Sequence, residues 1–456
     1  MPARREGDLA AAIGPSVGPE DYEVGDSVVG VTTGADTTVI VQIDGLAQPF
    51  ENDYQLGALT LRRRTPSLEL ISTTSLVRHD LETEFDASGA AAAGAASTAA
   101  GSTDELGRKL AQIIDDDLRN TGLFKTQGPA QAGTIAYSEV TTPNYGMWAG
   151  RSAQAVVQGY VRANGNGQLT VGCYLYDVAL QTELVRKGFV VSPGEWRRAA
   201  HKCADAIYTR LSGEGPYFDS QVVYVAEQGP KGKRRKQLAI MDQDGANHRF
   251  LTNGQNIVLT PRMSPKQNAI VYMSYENRRP SIWIYDLVAR ANRRLVENVS
   301  QNFAPHFSPD GRWILFSMSV AGNTDIYRIA VSGGQPQRLT NVPGIDTGGS
   351  YSPDGSKIVF ESDRGGSQQL YVMNADGSNQ KRISFGGGRY ATPVWSPRGD
   401  LIAFTRTGGG AFRIGVMNPG GGGEKLLTNS WGDEAPSWSP NGRVLMFFRA
   451  AQGSGT

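Results

Sequence analysis

Phe307-Ser308-Pro309-Asp310-Gly311 is one copy of a motif that recurs through the second half of the chain, and this repeat predicts the fold. The other copies are Met263–Lys266, Tyr351–Gly355, Trp395–Gly399 and Trp438–Gly442. Their serines, at positions 264, 308, 352, 396 and 439, are spaced by 44, 44, 44 and 43 residues, and a further step back of 44 reaches Ser220. A period of about 40 to 45 residues is typical of a β-propeller blade. The sequence therefore predicts six blades.

Each repeat has the pattern of four short strands joined by tight turns. In the repeat that begins near Ser350, strands are predicted at 350–352, 357–361, 369–374 and 380–384, because β-branched and aromatic residues are frequent there. The turns between these strands contain Gly, Asn and Asp, which tolerate a positive φ. In the Ser-Pro-Asp-Gly unit, Pro fixes φ, Gly completes the turn and Asp caps it, so we predict a structural role for these residues.

Two different regions precede the repeats. Ser102–Glu105 is a capping box that opens a helix, and strands are predicted at 154–162, 168–177 and 182–191 before a second helix at 193–211. The first hundred residues contain strand candidates at 28–31, 38–43 and 59–64, and the small-residue stretch 88–101 is interpreted as a flexible linker. The prediction is multi-domain: an unassigned extension and linker at 1–101, an α/β domain with a small antiparallel sheet at 102–214, and a six-bladed propeller at 215–456.

Composition excludes several classes of protein. The chain has 456 residues with a formal charge of +1, which argues against nucleic acid as the main partner. The two cysteines exclude a disulfide-dense scaffold and a four-cysteine zinc site. Cys173 and Cys203 could meet between sheet and helix, but the favoured interpretation is two small buried hydrophobic side chains. The four histidines are scattered, and no run of 18 apolar residues predicts a membrane span.

No constellation of residues predicts an enzyme. The G-x-S-x-G pattern at Gly14–Gly18 lacks the strand and helix of a nucleophile elbow, and no P-loop or H-E-x-x-H motif occurs. Asp242-x-Asp244-Gly245 lacks the rest of a calcium loop and predicts a hairpin turn, and the basic run 231–236 predicts a solvated loop. We therefore expect no catalytic residues, no cofactor and no metal. A propeller that accompanies a serine peptidase domain, or a cytoplasmic interaction module, remains an alternative.

The loops of the propeller are the candidate functional surface. Loops 298–304, 341–348, 385–392 and 429–435 enter the predicted inner strands, so they lie together at one end of the channel. They carry polar and aromatic residues that we expect to be exposed: Gln301, Asn302, Asp346, Thr347, Arg389, Tyr390, Trp431, Asp433 and Glu434. Protein interfaces favour Tyr, Trp and Arg, so a protein-binding surface is predicted here.

The order of these regions resembles the TolB family, periplasmic propeller proteins of the Tol–Pal cell-envelope system. The resemblance covers roughly residues 102–449 and is carried by Asp115–Phe124, by the segment Trp196-Arg197-Arg198-Ala199-Ala200-His201-Lys202-Cys203-Ala204-Asp205, and by the five Ser-Pro copies. The repeat alone occurs in many propellers. The repeat together with the preceding α/β domain and the Trp-Arg-Arg-Ala-Ala-His helix makes the resemblance specific.

The resemblance implies a non-enzymatic periplasmic scaffold that acts as a monomer. Family members bind the lipoprotein Pal on the propeller and TolA through an N-terminal segment, and they reach the outer membrane only through such partners. They maintain outer-membrane integrity during constriction and cell division, and colicins exploit them for import. The family's Pal-binding position matches Gln301, Asn302, Ala304 and Thr347, and the neighbouring loops add Asp346, Tyr390 and Asp433 as candidate partner-binding residues.

Both ends of the sequence differ from the family pattern. The start of the chain lacks the apolar stretch of a secretory signal, although the resemblance implies export. Near Thr456, blade six has only two predicted strands, and blade one has predicted strands at 221–226, 237–241 and 247–251 without an inner strand. We therefore expect an open seam between blades one and six, and we do not expect residues 24–72 to fill it.

Overall fold

The computed structural model describes residues 101–129, 135, 137–230, 233–276, 279–296 and 300–450, together with the backbone of short strands between residues 27 and 98. The chain divides into two compact units. The larger is built mainly from Gln221–Thr456, and the smaller mainly from Leu76–Ser220. Within the described residues, none of the helices has the length and apolar character needed to span a membrane.

Four strands lie in the first part of the chain: β1 (Ser27–Thr32), β2 (Thr38–Phe50), β3 (Tyr54–Thr65) and β4 (Leu68–His79). They are hydrogen-bonded neighbours in chain order, and β1 and β2 are antiparallel with Ser27 opposite Ile43. The strand candidates at 28–31, 38–43 and 59–64 lie inside β1, β2 and β3, so these three predictions are confirmed. Gly14–Gly18 lies outside the described residues.

Among its described residues, the smaller unit combines three α-helices with a mixed sheet and a separate two-stranded sheet. Its elements are β5 (Thr83–Asp86), β6 (Ala90–Ala92), β7 (Ser97–Thr98), β8 (Gly101–Ser102), α1 (Thr103–Arg119), β9 (Phe124–Thr126), α2 (Tyr145–Gly150), β10 (Ala155–Ala163), β11 (Leu169–Asp177), β12 (Thr182–Val191) and α3 (Trp196–Ser212). The sheet order is β12-β11-β10-β5-β9, and β6 also pairs with β10.

The structure differs from the sequence interpretation at two points of this unit. Strands β10, β11 and β12 are antiparallel as expected, but β5 and β6 pair with β10 in parallel and β9 pairs with β5 in parallel, so the sheet is mixed. Ala90–Ala92, inside the stretch interpreted as a linker, is a sheet strand. Small residues bury little apolar surface, so their pairing leaves almost no hydrophobic pattern in the sequence.

Helices α1 and α3 lie against the sheet and contact each other through buried side chains. His201 Nδ1 of α3 is 2.6 Å from Asp117 Oδ2 of α1, and both side chains are buried. Asp205 of α3 accepts hydrogen bonds from the backbone N–H groups of Tyr217, Phe218 and Asp219 at 2.7–3.0 Å. These contacts explain why the two segments that carry the resemblance contain buried acids and a buried histidine.

Cys173 and Cys203 form a disulfide that links β11 to α3, with their Cα atoms 5.9 Å apart. The prediction of two separate buried thiols is therefore wrong, although both residues are buried. Cys173 lies on the sheet face that α3 covers, which brings it within bonding reach of the helix. The strand pattern places Cys173 on a buried face, and the helix pattern does the same for Cys203. Neither pattern predicts which residues face each other between the sheet and the helix.

The larger unit contains the blades of the propeller. Blade one has β13 (Gln221–Gln228), β14 (Arg235–Asp242) and β15 (Arg249–Phe250); blade two has β16 (Val258–Met263), β17 (Ala269–Ser274), β18 (Ser281–Asp286) and β19 (Ala291–Arg294); blade three has β20 (Gln301–Phe307), β21 (Trp313–Val320), β22 (Asn323–Ala330) and β23 (Gln337–Arg338). Blade four has β24 (Asp346–Tyr351), β25 (Lys357–Ser362), β26 (Gln369–Asn374) and β27 (Lys381–Arg382); blade five has β28 (Arg389–Trp395), β29 (Ile402–Gly408), β30 (Ala411–Met417) and β31 (Lys425–Leu426); blade six has β32 (Asp433–Trp438) and β33 (Val444–Arg449).

Neighbouring blades pack face to face through apolar side chains. Phe307 and Phe316 of blade three are buried against Ile282 and Ile284 of blade two. Tyr390, Trp395 and Phe404 of blade five form a second core with Val359 and Leu370 of blade four. Phe307 and Trp395, the aromatic residues before two of the Ser-Pro copies, thus pack between their own blade and the preceding one.

The Ser-Pro-Asp-Gly units have the predicted structural role. In blades three to six, the Gly N–H donates to the carbonyl of the repeat Ser at 2.9 Å, as in Gly311 to Ser308 and Gly355 to Ser352. Ser308 Oγ donates to Asp310 at 2.5 Å, and this bond is the main reason that the pKa of Asp310 falls to about 2. The four residues therefore close the turn between the first and second strands.

The sheet of blade six is extended in a way that the sequence did not predict. Blade one has three strands within the described chain, as expected. Blade six, however, continues from β33 into β4, β3, β2 and β1, so strands from the first part of the chain extend its sheet. The expectation that residues 24–72 leave blade six without further strands is wrong. Between blade six and β13, the described strands show no packing comparable to that between the other blades.

Candidate functional site

One end of the propeller carries the candidate site, and strand direction defines it. Because successive strands of a blade are antiparallel, the point where the inner strand begins and the point where the second strand ends lie at the same end. We call this end the loop face. It includes the connections that enter β20, β24, β28 and β32, and the turns that follow β17, β21, β25 and β29.

Large apolar side chains are exposed on the loop face. They are Ile257, Tyr275, Val320, Ile345, Phe385, Phe412, Trp431 and Phe448. Phe385 is 72% exposed and Trp431 is 48% exposed, although both are large enough to fill a core position. Backbone hydrogen bonds set two pairs side by side, because Tyr275 N donates to Ile257 O at 2.9 Å and Phe412 N donates to Trp431 O at 2.9 Å. Exposed apolar side chains that cluster in this way are typical of a protein-binding surface.

Four of the residues proposed from the sequence lie beneath this surface. The expectation that Asn302, Asp346, Tyr390 and Asp433 are exposed is wrong, because each has 0% exposure. Successive side chains of a strand point to opposite faces of the sheet, and the faces of a blade pack against neighbouring blades, so these buried positions lie between blades. Asp346, Tyr390 and Asp433 bond to other side chains of the propeller, so they hold the loops in place beneath the exposed surface.

Ion pairs and hydrogen bonds anchor three of the buried groups. Arg364 Nη2 donates to Asp346 at 2.6 Å, and Arg449 makes two bonds to Asp433 at 2.6 and 2.9 Å. Tyr390 OH donates to Glu424 at 2.8 Å. Burial, together with this hydrogen bond, raises the pKa of Tyr390 to about 12, so its hydroxyl stays protonated. These bonds hold the starts of β24, β28 and β32.

The remaining sequence-proposed residues do reach the surface. Gln301, Arg389, Trp431 and Glu434 are exposed. Ala304 and Thr347 are partly exposed, and Thr347 Oγ1 accepts a hydrogen bond from Ser317 of blade three at 3.0 Å. The structure thus brings Gln301, Ala304 and Thr347 to one end of adjacent inner strands, which is the geometry that a shared binding surface requires.

Each inner strand bends at the same position, a feature that the sequence analysis missed. Residues with positive φ occur at Thr260 (47°), Ala304 (51°), Gly348 (66°), Thr392 (47°) and Ala435 (57°). The strand register shifts at each of these points, which identifies a β-bulge. In four of the five blades a proline follows, and proline in a sheet is confined to edges and bulges, so Pro261, Pro305, Pro393 and Pro436 were the signal.

Polar side chains of one blade bind the bulge of the next. Glu361 of β25 accepts a hydrogen bond from Thr392 N at 2.8 Å, and Thr405 of β29 accepts one from Ala435 N at 3.0 Å. Burial raises the pKa of Glu361 to about 7. Glu361 is the last residue of the strand predicted at 357–361, and a buried acid at such a position is unusual.

Comparisons with known proteins agree with this architecture. Residues 208–456 match a family described as TolB beta propeller domain, and residues 88–184 match the TolB amino-terminal domain. The chain is 63% identical over 190 residues to the Tol-Pal system protein TolB of Zymomonas mobilis, covering 42% of each chain. It is 64% identical over 184 residues to that of Rhizorhabdus wittichii, covering 40% of this chain and 42% of the relative. The matched segment therefore spans less than half the length of these curated relatives.

A solved structure is similar over a longer stretch. The crystal structure of TolB from Acinetobacter baumannii has a TM-score of 0.69 and 29% sequence identity, and the match covers 82% of this chain and 95% of that chain. Gln221–Thr456 makes up about half of the chain. A match that covers 82% of the chain therefore includes residues of both compact units.

Proposed function

The chain belongs to the TolB family, and from that premise we propose that it is a non-enzymatic scaffold of the Tol–Pal envelope system that binds partner proteins through the loop face. The exposed apolar side chains of that face carry the proposal. Two curated relatives are named Tol-Pal system proteins, which supports the same cellular role.

The partner that we propose for the loop face is the lipoprotein Pal. Gln301, Ala304 and Thr347 stand at the position that the family resemblance assigns to Pal, and the structure leaves all three at least partly accessible. Aromatic residues supply much of the binding energy at protein interfaces, and Phe385 and Trp431 are the most prominent aromatic side chains of this surface. TolA binding, outer-membrane maintenance during division and colicin import follow from the family role and belong to the same proposal.

We propose the periplasm as the site of action. The Cys173–Cys203 disulfide supports it, because disulfides persist in oxidising compartments and are rare in the reducing cytoplasm. A cytoplasmic interaction module of the same fold would be expected to keep the two thiols reduced.

Binding to Pal tests the proposed surface. The double variant Phe385→Ser/Trp431→Ser should bind the soluble domain of Pal at least about tenfold more weakly than the unaltered chain, because two aromatic contacts are lost. Calorimetry measures the dissociation constant, and circular dichroism checks the fold.

The matched control for this experiment is Val288→Ser. Val288 is 76% exposed but lies between the third and fourth strands of blade two, at the end of the propeller opposite the loop face. This variant should bind Pal like the unaltered chain. Equal affinity in the double variant, or no binding of Pal by the unaltered chain, would contradict the proposal.

A further inference from the structure

Arg262 and His306 occupy the same position of the repeat in neighbouring blades. Each lies two residues before the repeat serine, Arg262 on the inner strand β16 and His306 on the inner strand β20. These strands pack against each other, and inner strands border the central channel of a propeller. Both side chains are partly exposed, so neither is sealed in the core. They lie toward the end of the channel that carries the Ser-Pro turns, opposite the loop face.

Arg262 has no anionic partner within the described part of the chain. Its side-chain hydrogen bond goes to the adjacent carbonyl of Pro261 at 3.3 Å, which is long. By contrast, Arg364 is paired with Asp346 and Arg449 with Asp433, both at 2.6 Å. Burial lowers the pKa of the Arg262 guanidinium, and no neighbouring acid offsets this effect. A desolvated guanidinium without a counter-charge is unfavourable, and an anion would remove that cost.

The same environment determines the protonation state of His306. Burial and then the positive charge of Arg262 lower its pKa to about 4, so the ring is neutral at pH 7. Its Nδ1 is 3.0 Å from the carbonyl of Phe307, so this nitrogen carries the proton and donates, and Nε2 is left as an acceptor. An anion beside the ring would favour protonation of Nε2 and gain a second charged donor.

The titratable groups on the described strands around β20 do not supply a negative charge that offsets the burial of Arg262. The strands packed against β20 carry Tyr272, Tyr285, Asp286, Asp346 and Tyr351. Asp346 is already paired with Arg364, and Asp286 is exposed on the third strand of its blade. Arg262 is the side chain whose charge acts on His306.

We propose that this end of the channel binds a small oxyanion, a carboxylate or a phosphate, between the guanidinium of Arg262 and the imidazole of His306. The planar guanidinium can hold two oxygens at once, which suits both anions, and a histidine that gains a proton on binding supplies the second contact. The site is independent of the loop face, so its test does not depend on the proposed partner.

Histidine NMR of the full chain tests this site directly. With only four histidines in the sequence, ¹³Cε1-labelled histidine gives a resolvable spectrum, and His306→Gln assigns the His306 signal. At pH 6, inorganic phosphate and citrate are titrated separately against sodium chloride of equal ionic strength. We expect at least one oxyanion to shift the His306 signal saturably and to raise its pKa, whereas chloride does neither. The two arms identify which oxyanion the site prefers.

Arginine variants decide whether Arg262 holds the anion. Arg262→Gln should weaken binding about tenfold or more, because a charge-assisted hydrogen-bonding group is lost. Arg262→Lys retains the charge but loses the planar fork and should be intermediate, which keeps the test valid if the glutamine variant does not fold. Arg312→Gln is the matched control, because Arg312 is 79% exposed and paired with Asp310, and it should bind normally. An oxyanion effect no larger than that of chloride, or unchanged binding in both Arg262 variants, would overturn the proposal.

Discussion

Glu361 shows how a single carboxyl group joins two blades. Its side chain is 7% exposed and accepts a hydrogen bond from Thr392 N at the bulge of blade five. The backbone there has a positive φ of 47° at a β-branched residue, which is a strained conformation. The hydrogen bond compensates part of this strain, but burial disfavours the charged form of the carboxylate.

A pH dependence of stability follows from the pKa of Glu361. The folded-state pKa of about 7 lies above the ordinary value of 4.5, so the folded state binds more protons between these values and stability falls as pH rises through this window. A difference of this size corresponds to about 3 kcal/mol in the free energy of unfolding above pH 7. Glu361→Gln keeps an oxygen for Thr392 N and should remove this contribution.

Urea unfolding of the two proteins at pH 4.5 and pH 7.5 measures the effect. Between these pH values, the free energy of unfolding should fall less in Glu361→Gln than in the unaltered chain. The exposed residue Glu434 supplies the control, since Glu434→Gln should reproduce the behaviour of the unaltered chain. Parallel pH profiles for all three proteins would show that Glu361 is not the group responsible.

At the scale of elements, the Cys173–Cys203 disulfide fixes α3 on β11. The bridge spans 30 residues, including β12, so in the loop-entropy description it stabilises the folded state by about 3.6 kcal/mol. Cys173→Ser/Cys203→Ser should lower the free energy of unfolding of the smaller unit by that amount, and a reducing agent should have the same effect on the unaltered protein. Thermal unfolding with and without reductant provides the comparison. A double variant as stable as the oxidised protein would contradict the structural role of the bridge.

Elements with a strong local pattern could be predicted from the sequence, and contacts between distant elements could not. Strand β12 runs from Thr182 to Val191, the bounds predicted from the sequence, and α1 begins at Thr103, within the predicted capping box. The disulfide, the parallel pairing of Ala90–Ala92 and the pairing of β4 with β33 each join segments with no shared local signal. Such pairings depend on the assembled fold and leave little trace in periodicity.

The candidate site illustrates the same limit. The sequence predicted which loops lie together at one end of the blades, because the repeat period fixes where the inner strands begin. It could not separate exposed from buried residues there, since the bulges at Ala304 and Thr392 change which side chains face the neighbouring blade. Phe385 and Phe412 were missed because an isolated aromatic residue in a loop has no distinguishing pattern.

For the whole molecule, the repeated blades build one surface from positions that are distant in sequence. Exposed apolar groups come from blades two to six, and the ion pairs and hydrogen bonds of Asp346, Tyr390 and Asp433 hold the strands beneath them. A binding face distributed over several rigid blades favours a folded partner, because only a broad surface can contact the dispersed side chains together.

Hydrogen–deuterium exchange of the full chain with and without the soluble domain of Pal locates the bound partner without any substitution. We expect slower exchange in the loop-face segments 340–346, 384–390 and 428–434 when Pal is present, and unchanged exchange in the Ser-Pro turns at the opposite end. Protection confined to those turns or to the smaller unit, or no protection at saturating Pal, would contradict the assignment of the loop face as the partner-binding surface.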